Sequence, residues 1–209
     1  MRYHNITKDD MLNGDGLRTV LWVAGCSHGC KNCHNPITWD ICGGIPFDDA
    51  AREELFAELS QPYISGVTMS GGDPLHMANR DEIGALIKEI HETFPDKTIW
   101  IYTGYLWEEV KDLPFMPLAD VLVDGPFIEE QKDTALHWKG SANQRVIDVK
   151  QSLAEGRVVL HARSRRSGAS GAPSRRGRPC RRQAPSLSSR IPRKPHRLPR
   201  NQGFLYRIQ

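Results

Sequence analysis

Four short apolar runs, each ending at or followed by a glycine, alternate along the chain with windows of helical periodicity, and this alternation restricts the fold more than any other feature. The runs are residues 17–25 (LRTVLWVAG), 66–70 (GVTMS), 98–103 (TIWIYT) and 120–124 (DVLVD). Their continuous, β-branched character predicts buried strands. Between them, residues 48–60 carry acids in the first turn and apolar side chains at Leu55, Phe56 and Leu59, and residues 79–94 repeat Ile83, Leu86, Ile87 and Ile90. Both windows predict amphipathic helices. Residues 106–113 predict a short helix, and residues 145–149 a further strand. Strands alternating with helices argue for a parallel α/β sheet and against a sandwich or a bundle. There are too few units to close an eight-stranded barrel, so the expectation is an open, partial (βα) barrel.

In such a sheet, crossovers of one hand bring the loops that follow the strands to one side. The cysteine-bearing loop after residue 25, the Gly71-Gly72-Asp73-Pro74 turn, Tyr102-Thr103-Gly104 and Asp124-Gly125-Pro126 all follow strands. They are therefore expected at the carboxyl edge, where α/β proteins build their sites.

Charge divides the chain. Residues 163–209 hold 14 of the 28 Lys+Arg and none of the 25 Asp+Glu, so residues 1–162 carry 14 − 25 = −11. The basic segment is rich in Ser, Pro and Gly and lacks apolar periodicity, a composition that cannot bury enough surface to offset its ordering entropy. It is read as a disordered tail beyond a domain of residues 1–162. A polycation can bind nucleic acid by counterion release, but this one has no aromatic residue before Phe204 and Tyr206. The abrupt change after His161 also resembles translation in a shifted reading frame. The first ten residues are polar and contain acids, unlike a signal peptide, and no apolar run approaches membrane-spanning length. With three of five cysteines inside eight residues, metal binding is a better reading than a secreted disulfide framework. The expected location is the cytoplasm.

Cys26, Cys30 and Cys33 form a C-x3-C-x2-C run on the loop that leaves the first strand. Thiolates are the usual ligands of iron–sulfur clusters, and a four-iron cluster normally takes four. Three ligands leave one iron open to a small chelating substrate, as catalytic metal sites keep a vacant position. The competing reading is a structural zinc or a closed cluster, with Cys42, His28 or His34 as fourth ligand. Gly71-Gly72 lets the backbone approach a ligand closely, although a double glycine before Pro is also an ordinary turn. Asp124 is either a ligand to a ribose hydroxyl or cationic group, or a helix cap.

The cysteine spacing resembles the signature of the radical S-adenosylmethionine superfamily. Further motifs narrow the resemblance: Asn13-Gly14-Asp15-Gly16-Leu17-Arg18, Gly25-Cys26-Ser27-His28-Gly29-Cys30, Cys33-His34-Asn35, Thr38-Trp39, Ser70-Gly71-Gly72-Asp73-Pro74-Leu75-His76, Tyr102-Thr103-Gly104-Tyr105, Val123-Asp124-Gly125-Pro126-Phe127 and Gly140-Ser141-Ala142-Asn143-Gln144. Together they resemble the activases of anaerobic ribonucleoside-triphosphate reductase over about residues 1–162. Asn32 stands where many superfamily members carry an aromatic residue.

The resemblance implies a radical S-adenosylmethionine type barrel and a [4Fe-4S] cluster on Cys26, Cys30 and Cys33. It implies contacts to S-adenosylmethionine from Asn32, Cys33, His34, Gly71, Gly72, Asp73 and Asp124. It also implies a one-electron donor, reduced flavodoxin, and a large reductase partner that receives a glycyl radical. Two alternatives stay open at this point: an activase of another glycyl-radical enzyme such as pyruvate formate-lyase, and a non-catalytic, metal-containing nucleic-acid-binding protein.

Overall fold

The computed structural model describes residues 1–162; the expectations of a disordered or frameshifted tail fall on residues 163–209, outside the described residues. One seven-stranded sheet organises the described residues. Its strands are β1 (Arg2–Asp10), β2 (Arg18–Val23), β3 (Ile45–Pro46), β4 (Gly66–Gly71), β5 (Thr98–Tyr102), β6 (Val121–Asp124) and β7 (Arg145–Asp148), in the order β3-β1-β2-β4-β5-β6-β7. The four apolar runs form the central strands, which run parallel, and the further strand expected at residues 145–149 is β7.

The flanks depart from the expected parallel sheet. β1 lies antiparallel to both β2 and β3, and β7 antiparallel to β6. A parallel return would need a crossover, usually a helix, and no α-helix separates β6 from β7. β1 was not legible because only Tyr3, Ile6 and Asp10 of its nine residues are buried, and two register shifts break its alternation.

The helices are α1 (Asp49–Leu59), α2 (Arg80–Thr93), α3 (Trp107–Val110) and α4 (Val149–Glu155). Asp48 caps α1 by accepting from the Ala51 amide at 3.0 Å, which fits the acidic start seen in the sequence. Ala51, Leu55, Leu59, Ile83, Ile87, Ile90, Trp107, Val110 and Val149 join Leu21, Val67, Met69, Ile99, Ile101 and Leu122 in one core. Each large aliphatic side chain among them contributes roughly 1.5–3 kcal/mol when fully buried. A smaller cluster of Trp100, Tyr102, Val121, Val123 and Val146, with Trp138 packed on it, forms separately. Among the described residues, no helix is long and apolar enough to cross a membrane.

At the amino end of the parallel strands, Arg18 sits in register with Gly66, which pairs in turn with Thr98. Its side chain is fully buried. The guanidinium donates to Thr68 Oγ1 at 2.8 Å, Thr98 Oγ1 at 2.8 Å, and the carbonyls of Val67, Thr98 and Asp15 at 2.6, 2.9 and 3.1 Å. Trp100 lies 5.2 Å from it in a cation–π contact. Burial pulls the Arg18 pKa down to about 10. The Asn13–Arg18 motif is thus a clasp that fixes where three strands begin.

At the other end, Gly71 closes β4 with φ +106°, and a Cβ there would stand 2.6 Å from the Val23 amide nitrogen. Gly71→Ala combines left-handed strain with a backbone clash, each worth about 1–3 kcal/mol. We expect a loss of about 3 kcal/mol in urea denaturation; a change below roughly 0.5 kcal/mol, the usual range for an uninvolved surface position, would show that the turn relaxes freely.

Candidate iron–sulfur and nucleotide site

The registers place the carboxyl ends of the parallel strands at one edge: Val23 pairs with Gly71, and Tyr102 with Val123. The loops that follow are stitched together there. Gly72 N donates to Val23 O at 2.8 Å, Asp73 N to Gly25 O at 2.7 Å, Gly25 N to Thr38 O at 2.8 Å and Cys26 N to Trp39 O at 3.0 Å. A Cβ on Gly72 would lie 2.5 Å from Gly25 O, so only glycine lets the two loops meet so closely.

Cys26, Cys30 and Cys33 are free, half-buried and line one cavity with Asn32, His34, Gly71 and Gly72. Cys33 N donates to Cys30 O at 3.1 Å, closing a turn in which Asn32 takes φ +54°, a conformation asparagine tolerates better than most residues. Burial pushes the Cys26 thiol up to about 11 and also raises Cys30. In the absence of metal, burial therefore favours the thiol at Cys26 and Cys30, and metal binding there must displace the proton.

This donor set fits an iron–sulfur cluster. Thiolates are its usual ligands, with different irons taking different sulfurs. Cys42 is exposed and does not line the cavity.

The two acids singled out from the sequence lie behind the cavity wall. Asp73 is 1% exposed. Its carboxylate accepts from Thr103 Oγ1 at 2.9 Å, the Gly104 amide at 3.0 Å and the Leu75 amide at 2.8 Å, and lies 2.6 Å from His28 Nε2. Hydrogen bonding to Asp73 holds the His28 ring above its usual pKa. Asp124 is fully buried; it accepts from the Trp107 amide at 2.8 Å, at the start of α3, and from Arg145 Nε at 3.1 Å. Its carboxylate thus serves partners within the protein, the first amide of α3, whose N-cap is Leu106, and the Arg145 guanidinium. Asp124→Ala leaves the buried Trp107 amide without its acceptor, and is expected to cost about 2 kcal/mol in thermal or urea denaturation.

Sequence reasoning gave no site role to Phe127, Lys132, Gly140 or Gln144, all of which line the same cavity. Gln144 shapes that wall: its Oε1 accepts from the Gly140 amide at 2.9 Å and its Nε2 donates to Gly125 O at 3.0 Å. The signal was a Gly-Ser-Ala-Asn-Gln run in a loop, whose return to the sheet edge depends on the antiparallel placement of β7.

An α/β sheet with a three-cysteine cavity at its carboxyl edge defines an iron–sulfur protein, and residues 12–147 match the family described as 4Fe-4S single cluster domain. Three anaerobic ribonucleoside-triphosphate reductase-activating proteins are similar along nearly their whole length. That of Haemophilus influenzae is 40% identical over 148 residues, covering 69% of this chain and 96% of the relative. That of Salmonella typhimurium is 43% identical over 150 residues, covering 70% and 97%. That of Enterobacteria phage T4 is 42% identical over 146 residues, covering 70% and 93%. The chain belongs to the family of anaerobic ribonucleoside-triphosphate reductase-activating proteins.

Proposed function

We propose that the protein activates anaerobic ribonucleoside-triphosphate reductase by installing a glycyl radical on its large subunit. In this reading Cys26, Cys30 and Cys33 hold a [4Fe-4S] cluster, and S-adenosylmethionine is the co-substrate. The observation that carries it is one cavity lined by three free thiols and by the Gly71-Gly72 turn, in a chain whose relatives bear the activase name. When bound, the cluster supplies one electron that splits S-adenosylmethionine into methionine and a 5′-deoxyadenosyl radical, which takes a hydrogen atom from the reductase glycine.

The chain's own part is binding, orientation and exclusion of water. Gly71 and Gly72, free of side chains, bring backbone up to the methionyl end of the ligand. Asn32, Cys33 and His34 border its adenine, while Asp73 and Asp124 brace the loops from behind. The open sheet serves as a partial barrel of the radical S-adenosylmethionine type, with residues 1–162 as the activase domain. Reduced flavodoxin is the proposed donor and the cytoplasm the proposed location.

The test is an anaerobic assay with dithionite, S-adenosylmethionine and each candidate partner. A glycyl radical signal on the reductase, with 5′-deoxyadenosine released, is the expected outcome. A signal on pyruvate formate-lyase and none on the reductase overturns the choice of partner; a cluster that never cleaves S-adenosylmethionine overturns the chemistry.

A further inference from the structure

Asp73 lies at the junction of three loops. It follows the Gly71-Gly72 turn at the end of β4. Thr103 and Gly104, which bond it, follow β5, and His28, 2.6 Å from its Oδ2, lies between Cys26 and Cys30 on the loop after β2. Its own backbone amide donates to Gly25 O at 2.7 Å, immediately before the first cysteine. At 1% exposure, its carboxylate is spent on protein donors. His28 is held on two other sides as well. The Tyr105 ring meets it edge-on at 4.8 Å, and a Cβ on Gly104 would strike it at 2.4 Å.

We propose that Asp73 and His28 act as one positioning clamp, which sets the cysteine loop against the Gly71-Gly72 turn and so fixes the cluster relative to the nucleotide. Asp73 is then a positioning residue and makes no contact with S-adenosylmethionine. The inference rests on the functional reading above. Its physical basis is that a buried carboxylate with a full set of donors holds its partners in a single arrangement, and hydrogen bonds to a charged acceptor are the stronger kind. Releasing only His28 leaves the Thr103, Gly104 and Leu75 bonds in place. The cysteine loop should then lose its register while the rest of the fold persists.

The test uses the full chain as wild type, His28→Ala, Asp73→Asn and the double variant. In metal-free protein, the rate of alkylation by iodoacetamide at Cys26, Cys30 and Cys33 is followed by peptide mass mapping, with exposed Cys42 as internal reference. His28→Ala is expected to speed alkylation of the three loop cysteines severalfold and leave Cys42 unchanged. In reconstituted protein, His28→Ala is expected to keep its iron, to weaken S-adenosylmethionine binding by about tenfold, and to blunt the change that the ligand makes in the reduced cluster's electron paramagnetic resonance spectrum. The double variant should bind no more weakly than Asp73→Asn alone, since the two residues share one interaction.

Unchanged loop-cysteine reactivity in His28→Ala overturns the clamp. So does a ligand affinity that falls in Asp73→Asn but not in His28→Ala, because that pattern means direct contact by Asp73. If wild type itself shows no response to S-adenosylmethionine, the functional reading fails, while the alkylation result still decides whether the clamp exists.

Discussion

Alanine at Cys26, Cys30 or Cys33 is expected to strip the reconstituted protein of cluster iron and to abolish activation, each substitution alone being sufficient. Three thiolates are the smallest local set for a four-iron cluster with one open corner, and two cannot hold it against loss. The three sulfurs share a cavity wall, and the other cysteine among the described residues, Cys42, is exposed and outside it. Cys42→Ala is accordingly expected to retain full iron content and activity. Iron and sulfide analysis with visible absorbance checks both statements. Loss of iron in Cys42→Ala, with retention in one of the three, would mean that the cluster is ligated differently and that the corner assigned to S-adenosylmethionine is closed.

Arg18→Leu is expected to produce the largest loss of stability of any single substitution away from the cavity. The side chain donates five hydrogen bonds from a fully buried position. Leucine leaves the Val67 and Thr98 carbonyls and two threonine hydroxyls short of a donor, at about 1–3 kcal/mol for each buried group that finds no replacement. A total of about 5 kcal/mol takes a large share of the stability of a typical domain. It corresponds to a fall in melting temperature of roughly 10–20 °C for a chain of this size. Arg18→Lys is expected to recover only part of this, because an ammonium brings three donors in place of five. Calorimetry on the two variants checks the order; a fall below about 3 °C in Arg18→Leu, the scale of 1 kcal/mol, would contradict the clasp.

The central strands and the two long helices were legible because they obey simple periodicities: residues 66–70 and 98–103 are continuous apolar runs, and Ile83, Leu86, Ile87 and Ile90 mark one helix face. The cysteine loop and the Gly-Gly turn were legible as chemistry, since sulfur spacing and paired glycines are local. β1 was hidden by its polar residues and irregular register. α4 (Val149–Glu155) was hidden behind the strand that directly precedes it, as Asp148 ends β7 and caps the helix through the Gln151 amide at 2.9 Å. The Asn13–Arg18 motif marked the family, but its clasp of three strand starts needed the register to be seen. The resemblance implies an S-adenosylmethionine contact for Asp73; that its carboxylate meets His28 and Thr103 depends on loops 45 and 30 residues away in sequence.

The most direct test of the central claim is the electron paramagnetic resonance spectrum of the dithionite-reduced, reconstituted protein before and after addition of S-adenosylmethionine. A four-iron cluster on three cysteines predicts a reduced-cluster signal whose line shape changes when the ligand reaches the open iron. A protein that holds zinc, or a cluster whose spectrum is indifferent to saturating S-adenosylmethionine, would contradict it.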